Sequence, residues 1–109
     1  MPQPKTLDQL PETINVSNIP YQVVLKQDLR SSKGDDQLLL GEVIYKEQRI
    51  SLDADMAPDV GIITLLHELI HAMLSNAGIQ EHDEQWIEIV SVGFVSLIRQ
   101  NPALLRFIE

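Results

Sequence analysis

The sequence predicts an α+β protein in which a small, mostly antiparallel sheet of three strands is followed by two packed helices. Segments rich in β-branched and aromatic residues precede residue 54, the last of them with period-two alternation, and the apolar period becomes helical after Asp59. Three of the six prolines, and few large apolar side chains, lie in the first 18 residues. We therefore expect an irregular lead-in over residues 1–18 and one domain over residues 19–109.

Each predicted strand rests on a local pattern. Residues 19–29 (IPYQVVLKQDL) are rich in β-branched and aromatic side chains. Two further strands, at residues 41–46 and 49–53, are separated by a tight turn near Glu47. In the last of them, Ile50 and Leu52 alternate with polar neighbours, as in a strand with one buried face.

The helices are bounded by capping residues. Asp59 can cap the first helix, and Gly78 stands where a helix C-terminus commonly places glycine. Asp83 can cap the second helix, which the Asn101-Pro102 pair stops. The remaining residues, ALLRFIE, are expected to add a short turn or helix.

Composition narrows the possible functions. The net charge of −8 argues against nucleic acid and against an anionic membrane surface as partners. The chain has no cysteine, which excludes disulfides and thiolate metal ligands. The N-terminus lacks the apolar core of a signal peptide, and no apolar run approaches the length of a membrane span. We expect a cytoplasmic protein.

The candidate metal-binding and catalytic residues are concentrated in the segment TLLHELIHAML. His67, Glu68 and His71 form the pattern H-E-x-x-H inside an otherwise apolar helix. Residues four apart lie on one helix face, so both imidazoles can reach one metal ion. Glu68 beside them can accept a proton from water. The competing interpretation is a pair of buried, hydrogen-bonded histidines.

A zinc site normally needs a third protein ligand, and several downstream residues could supply it. If the second helix returns antiparallel, Glu84 in its first turn can face the two histidines. Glu88, one turn later, can accept the free N–H of a ligand histidine. Alternatively, Glu84 and Glu88 form an exposed helix face. His82 is the rival third ligand, or a side chain that stabilises the transition state.

The segment HELIH, followed by a glycine-ended helix and then EQWIE, resembles the gluzincin arrangement. That resemblance implies Glu84 as third ligand and Glu88 as the acidic residue that supports a ligand histidine. A narrower resemblance is to small metallopeptidase-like proteins of bacteriophages and mobile elements, which are relatives of the ImmA/IrrE group. It rests on the segments GEVIYKEQRISLDAD and TLLHELIHAML and on the later NP. The resemblance implies a zincin-like fold from Tyr21 to the C-terminus.

The resemblance also implies a substrate-binding edge strand above the metal, made of Arg49, Ile50, Ser51, Leu52 and Asp53. Larger gluzincins carry a further subdomain that walls the cleft and supplies a tyrosine or histidine to stabilise the transition state. This chain is expected to use Tyr21, Tyr45 or His82 instead.

These observations predict a minimal zinc metallopeptidase. His67, His71 and Glu84 would bind Zn²⁺, and Glu68 would be the catalytic base acting on a peptide or protein substrate. Manganese, iron and cobalt also bind such ligand sets. The alternative is a catalytically weak or inactive binding module stapled by zinc. A deformylase-type hydrolase is disfavoured because it would need a cysteine ligand. Nothing in the sequence indicates the oligomeric state.

Overall fold

A computed structural model describes residues 5–109 of the chain. Two short 3-10 turns, at Leu7–Gln9 and Tyr45–Glu47, accompany four strands and three helices. In chain order these are β1 (Thr13–Val16), β2 (Ile19–Lys26), β3 (Gly41–Ile44), β4 (Arg49–Asp53), α1 (Pro58–Asn76), α2 (Glu84–Gln100) and α3 (Pro102–Ile108).

The predicted α+β class is confirmed, but the sheet has four strands instead of three and is mixed. Its strand order is β1-β2-β4-β3. The pairs β1/β2 and β3/β4 are antiparallel, whereas β2 and β4 are parallel. The extra strand, β1, lies inside the segment that was expected to be irregular. Residues 1–4 of that segment lie outside the described residues.

A two-residue turn explains β1. Ser17 and Asn18 both have positive φ, 51° and 66°, which is the backbone of a type I′ hairpin turn. This turn folds Thr13–Val16 back onto β2 in antiparallel register. Asn76, near the end of α1, also stabilises the hairpin. Its Nδ2 donates a hydrogen bond to the carbonyl oxygen of Val16 at 3.1 Å.

The prediction that Arg49–Asp53 is the edge strand is wrong. The strand itself has the predicted bounds, but it lies between β2 and β3 as an inner strand of the sheet. The 3-10 turn at Tyr45–Glu47 and the left-handed Gln48 (φ 47°) reverse the chain within four residues. β3 therefore pairs with one side of β4 and becomes the edge, while β2 pairs with the other side. The same turn ends β3 at Ile44, before the predicted Lys46.

The core lies between the sheet and α1. Ile50 and Leu52 of β4 are fully buried, and they share one hydrophobic cluster with Tyr21 of β2 and Leu65 of α1. Two apolar residues on the same face of an inner strand therefore determine the sheet face on which α1 packs.

The capping predictions are partly confirmed. α1 begins at Pro58 with Ala57 as N-cap, so Asp59 lies in the first turn and not at the cap. Gly78 has φ +83° just after the end of α1, and Asp83 caps α2 by accepting a hydrogen bond from the Trp86 backbone N–H at 3.0 Å. None of the helices in residues 5–109 is long and apolar enough to cross a membrane.

α2 packs antiparallel to α1 across one face. Ile87, Ser91 and Val95 are its buried residues, and they recur at a spacing of four. Near the other end of the pair, the Arg99 guanidinium lies 3.0 Å from the Asp59 carboxylate. This packing determines which side chains of the two helices meet.

Gly41 lets β3 approach α1 closely. A Cβ added at position 41 would lie 2.7 Å from Thr64 Cγ2 and 3.3 Å from Glu68 Cγ. Both atoms belong to α1, so a larger residue would push the edge strand away from the helix that carries His67 and His71.

We expect Gly41→Ala to lower the free energy of unfolding by about 1–3 kcal/mol, because the added methyl overpacks this contact. Urea denaturation would measure the loss. Thr64→Ser removes the clashing Cγ2 but keeps the hydroxyl that donates to Val60 O at 2.8 Å. The double variant Gly41→Ala/Thr64→Ser should therefore recover part of the lost stability. If the two substitutions changed the free energy of unfolding strictly additively, a direct steric contact would be contradicted.

Candidate metal centre

Three side chains from two helices converge at one point. His67 and His71 project from one face of α1, and Glu84 projects from the first turn of α2. One potential ligand atom from each lies within 4.8 Å of the others. The Glu84 carboxylate lies between the two imidazoles, with Oε2 2.8 Å from His67 Nε2 and Oε1 2.9 Å from His71 Nε2.

Glu88 determines the protonation of His67. Its Oε2 lies 2.8 Å from His67 Nδ1, and an ionised carboxylate can only accept a hydrogen bond. The Nδ1–H therefore donates to Glu88. In a neutral imidazole the remaining proton-free nitrogen is Nε2, which faces the Glu84 carboxylate.

His82 orients His71 through a short relay. The carbonyl oxygen of Ile79 lies 2.8 Å from His82 Nε2, so this nitrogen donates. His82 Nδ1 in turn lies 2.7 Å from His71 Nδ1, and the two nitrogens share one hydrogen bond. This contact turns the Nε2 of His71 toward Glu84, whose Oε1 lies at 2.9 Å.

The pKa shifts follow from the same contacts. Burial lowers the pKa of His67, but the hydrogen bonds to Glu88 and Glu84 outweigh it and the net shift is upward. For His71 burial dominates and its pKa is lowered, which favours the neutral ring. Burial raises the pKa of Glu84, yet its contacts with both histidines outweigh this effect and lower it.

The orientation of the two rings suits a bound cation. Without a metal, the raised pKa of His67 favours a proton on Nε2, which donates to the Glu84 carboxylate. A divalent cation could replace that proton, because both Nε2 atoms and the carboxylate would then direct electron pairs at one point. Two imidazole nitrogens and one carboxylate oxygen are a common ligand set for divalent metals. His67, His71 and Glu84 could therefore hold a metal ion, as predicted from the sequence.

Glu68 lies next to this cluster in a different environment. Its side chain is buried, and within residues 5–109 its Oε2 has no hydrogen-bond partner. Burial raises the pKa of Glu68 to about 7, with further increases from the negative charges of Glu84 and Glu42 and a partial offset from His67. A carboxyl group with this pKa can both accept and release a proton near neutral pH.

The cluster opens into a cavity of about 910 Å³. Both β3 and the loop before it contribute to its lining, together with α1 and α2. Glu42 of β3 holds the loop in place by accepting hydrogen bonds from the Ser32 backbone N–H at 3.0 Å and from the Ser32 hydroxyl at 2.9 Å. The loop thus lines part of the cavity, a role that was not predicted from the sequence.

The structure separates the three candidates for transition-state stabilisation. Tyr21 is buried in the core, and its hydroxyl lies 3.4 Å from Asn76 Oδ1. Both ring nitrogens of His82 are used in the relay to His71, and His82 does not line the cavity that contains Glu68. Tyr45 lines the cavity together with Glu68, and burial, followed by the nearby charges of Glu68 and Glu84, raises its pKa.

Sequence reasoning missed the role of Gly41. A glycine inside a predicted strand often marks the close approach of another element, and that signal was present. It also missed the relay through the Ile79 carbonyl, for which the sequence holds no signal because a backbone group supplies it. The Ile50–Leu52 segment, expected beside the metal, lies in the buried inner strand.

No family model, curated protein or solved structure matches this chain.

Proposed function

We propose that this chain is a zinc-dependent peptidase of minimal size, with His67, His71 and Glu84 as the metal ligands. The observation that carries the proposal is Glu68, a buried carboxyl group with an unpartnered oxygen beside three converging ligands. A purely structural zinc site has no use for such a group, since burying it without a partner costs free energy. The donor set fits a divalent metal, as argued above.

A divalent metal bound there would lower the pKa of a water molecule and polarise a substrate carbonyl. The residues of the chain supply the remaining steps. Glu68 accepts the proton of the attacking water and passes it to the leaving nitrogen as the peptide C–N bond breaks. Glu88 and His82 hold the two imidazoles with Nε2 directed at the metal position.

The edge strand β3 offers a binding site for an extended peptide. The Asp53 N–H donates to the Leu40 carbonyl at 2.8 Å, and the β3/β4 register continues this antiparallel ladder. Because hydrogen-bonded pairs alternate, Gly41 and Val43 direct their N–H and C=O groups away from β4. Both residues line the cavity, so a substrate could add there as a further strand.

Tyr45 follows β3 directly and completes the proposed site. Its raised pKa keeps the hydroxyl protonated, and a protonated hydroxyl can donate a hydrogen bond to the oxygen of the reacting carbonyl. Of the three candidates for this role, Tyr45 is the one that shares the cavity with Glu68.

We expect Glu84→Ala to reduce zinc affinity most, since it removes a ligand. His82→Ala should reduce it by about 10–100-fold, since His71 then loses the partner that orients it. Competition titration with a chromogenic chelator measures both. Glu81→Ala removes the same charge as Glu84→Ala from an exposed position and should bind zinc like the wild type. If Glu81→Ala and Glu84→Ala lowered zinc affinity equally, Glu84 would contribute only its negative charge and would not be a metal ligand.

The proposed reaction is tested with Glu68→Gln, assayed on a library of quenched fluorescent peptides. This variant should bind zinc normally and lose about 10²–10⁴-fold in turnover, because glutamine cannot accept the proton. Glu81→Gln is the matched control and should retain activity. Full activity of Glu68→Gln would exclude Glu68 as the base. If the zinc-loaded wild type hydrolysed none of the peptides, the result would instead favour a binding module that is stapled by zinc.

A further inference from the structure

One face of α2 is apolar and unpartnered by the described chain. Ile87, Ser91 and Val95 face α1, and at 100° per residue the opposite face carries the side chains of Trp86, Ile89, Gly93 and Leu97. We call these four residues the outer face. Its three large apolar side chains are between 48% and 65% exposed.

The helix α3 adds further exposed apolar side chains. It follows α2 directly after Asn101, and none of its residues is buried. Phe107 is 88% exposed and Ile108 is 71% exposed, and Leu104 and Leu105 are exposed as well. Together with the outer face, these side chains expose on the order of 700 Å² of apolar surface, close to the ~800 Å² that each partner buries in a standard interface.

The charged side chains of α2 point away from the outer face. Glu88 of α2 is turned to His67, and Arg99 is paired with Asp59 of α1. The other residues from Gln85 to Gln100 are uncharged. Two copies of a chain with net charge −8 repel each other at most orientations, but they can meet at an uncharged face without opposing like charges.

Gly93 lies at the centre of the outer face. A glycine inside a helix is less favourable than alanine, because it loses more backbone freedom on folding. Nothing in the described chain requires it, because a Cβ added at position 93 meets no atom within 4 Å. A glycine flanked by Ile89 and Leu97 forms a notch, and such a notch allows a second helix to approach closely.

From these observations we propose that the chain forms a symmetric homodimer in which the outer faces of two α2 helices cross at Gly93. The face is self-complementary, because an uncharged apolar surface with a central notch can pair with its own copy around a twofold axis. An anionic membrane is a poorer partner, since the chain is acidic and α3 carries a single basic residue, Arg106. The inference does not rest on the metal site.

Sedimentation velocity of the whole chain tests the dimer. At tens of micromolar protein we expect twice the chain mass of 12.3 kDa. Ile89→Glu places a charge on the outer face and should weaken association by about tenfold or more, with unchanged helical circular dichroism. Leu38→Glu is the matched control, since Leu38 is 57% exposed and lies in the loop before β3; it should associate like the wild type.

Gly93→Gln provides a second, independent variant. Glutamine is a better helix former than glycine and has room here, so the variant should fold and melt at a higher temperature when dilute. Its side chain fills the notch and should weaken association. A wild type that stays monomeric at every concentration overturns the proposal, and so does a dimer that neither variant weakens. Binding of such a monomer to phosphatidylcholine vesicles would assign the face to a membrane instead.

Discussion

The contact of the Glu84 carboxylate with two imidazole Nε2 atoms organises the whole site. It joins α1 to α2 at the position where the chain returns after Gly78, and it brings two nitrogens and two oxygens within hydrogen-bond distance. Each Nδ1 has a partner of its own, Glu88 for His67 and His82 for His71, and these contacts direct both Nε2 atoms at the carboxylate. A cation at this point would be bound by all three side chains, and we therefore propose that the cluster is a metal centre.

The rest of the fold determines which side chains and which strand surround that contact. The fully buried Ile50 and Leu52 hold α1 on the sheet, so the histidines are fixed relative to β3. Gly41 then lets the edge strand approach until it lies against Glu68. The same closeness buries Glu68 and raises its pKa to about 7. The strand proposed to bind the substrate and the proposed base are therefore coupled by one steric contact.

The sequence predicted the helices and the candidate ligands well because both depend on local spacing. Two histidines four apart must share a helix face, and Asp83 caps its helix through its own neighbour Trp86. It predicted the sheet less well because strand order depends on long-range pairing. Nothing local indicates that Arg49–Asp53 would take an inner position between β2 and β3. The roles of His82 and Tyr45 depend on distances between elements and were equally beyond a single sequence.

We propose that His67, His71 and Glu84 surround a metal ion, and anomalous diffraction from crystals grown with zinc would locate that ion. We expect one zinc peak at about 2.0–2.2 Å from Nε2 of both histidines and from a carboxylate oxygen of Glu84, with His82 still bonded to His71. A zinc peak coordinated by His82 would contradict this assignment of the ligands. So would zinc-grown crystals in which both imidazoles remain hydrogen-bonded directly to Glu84 with no peak between them.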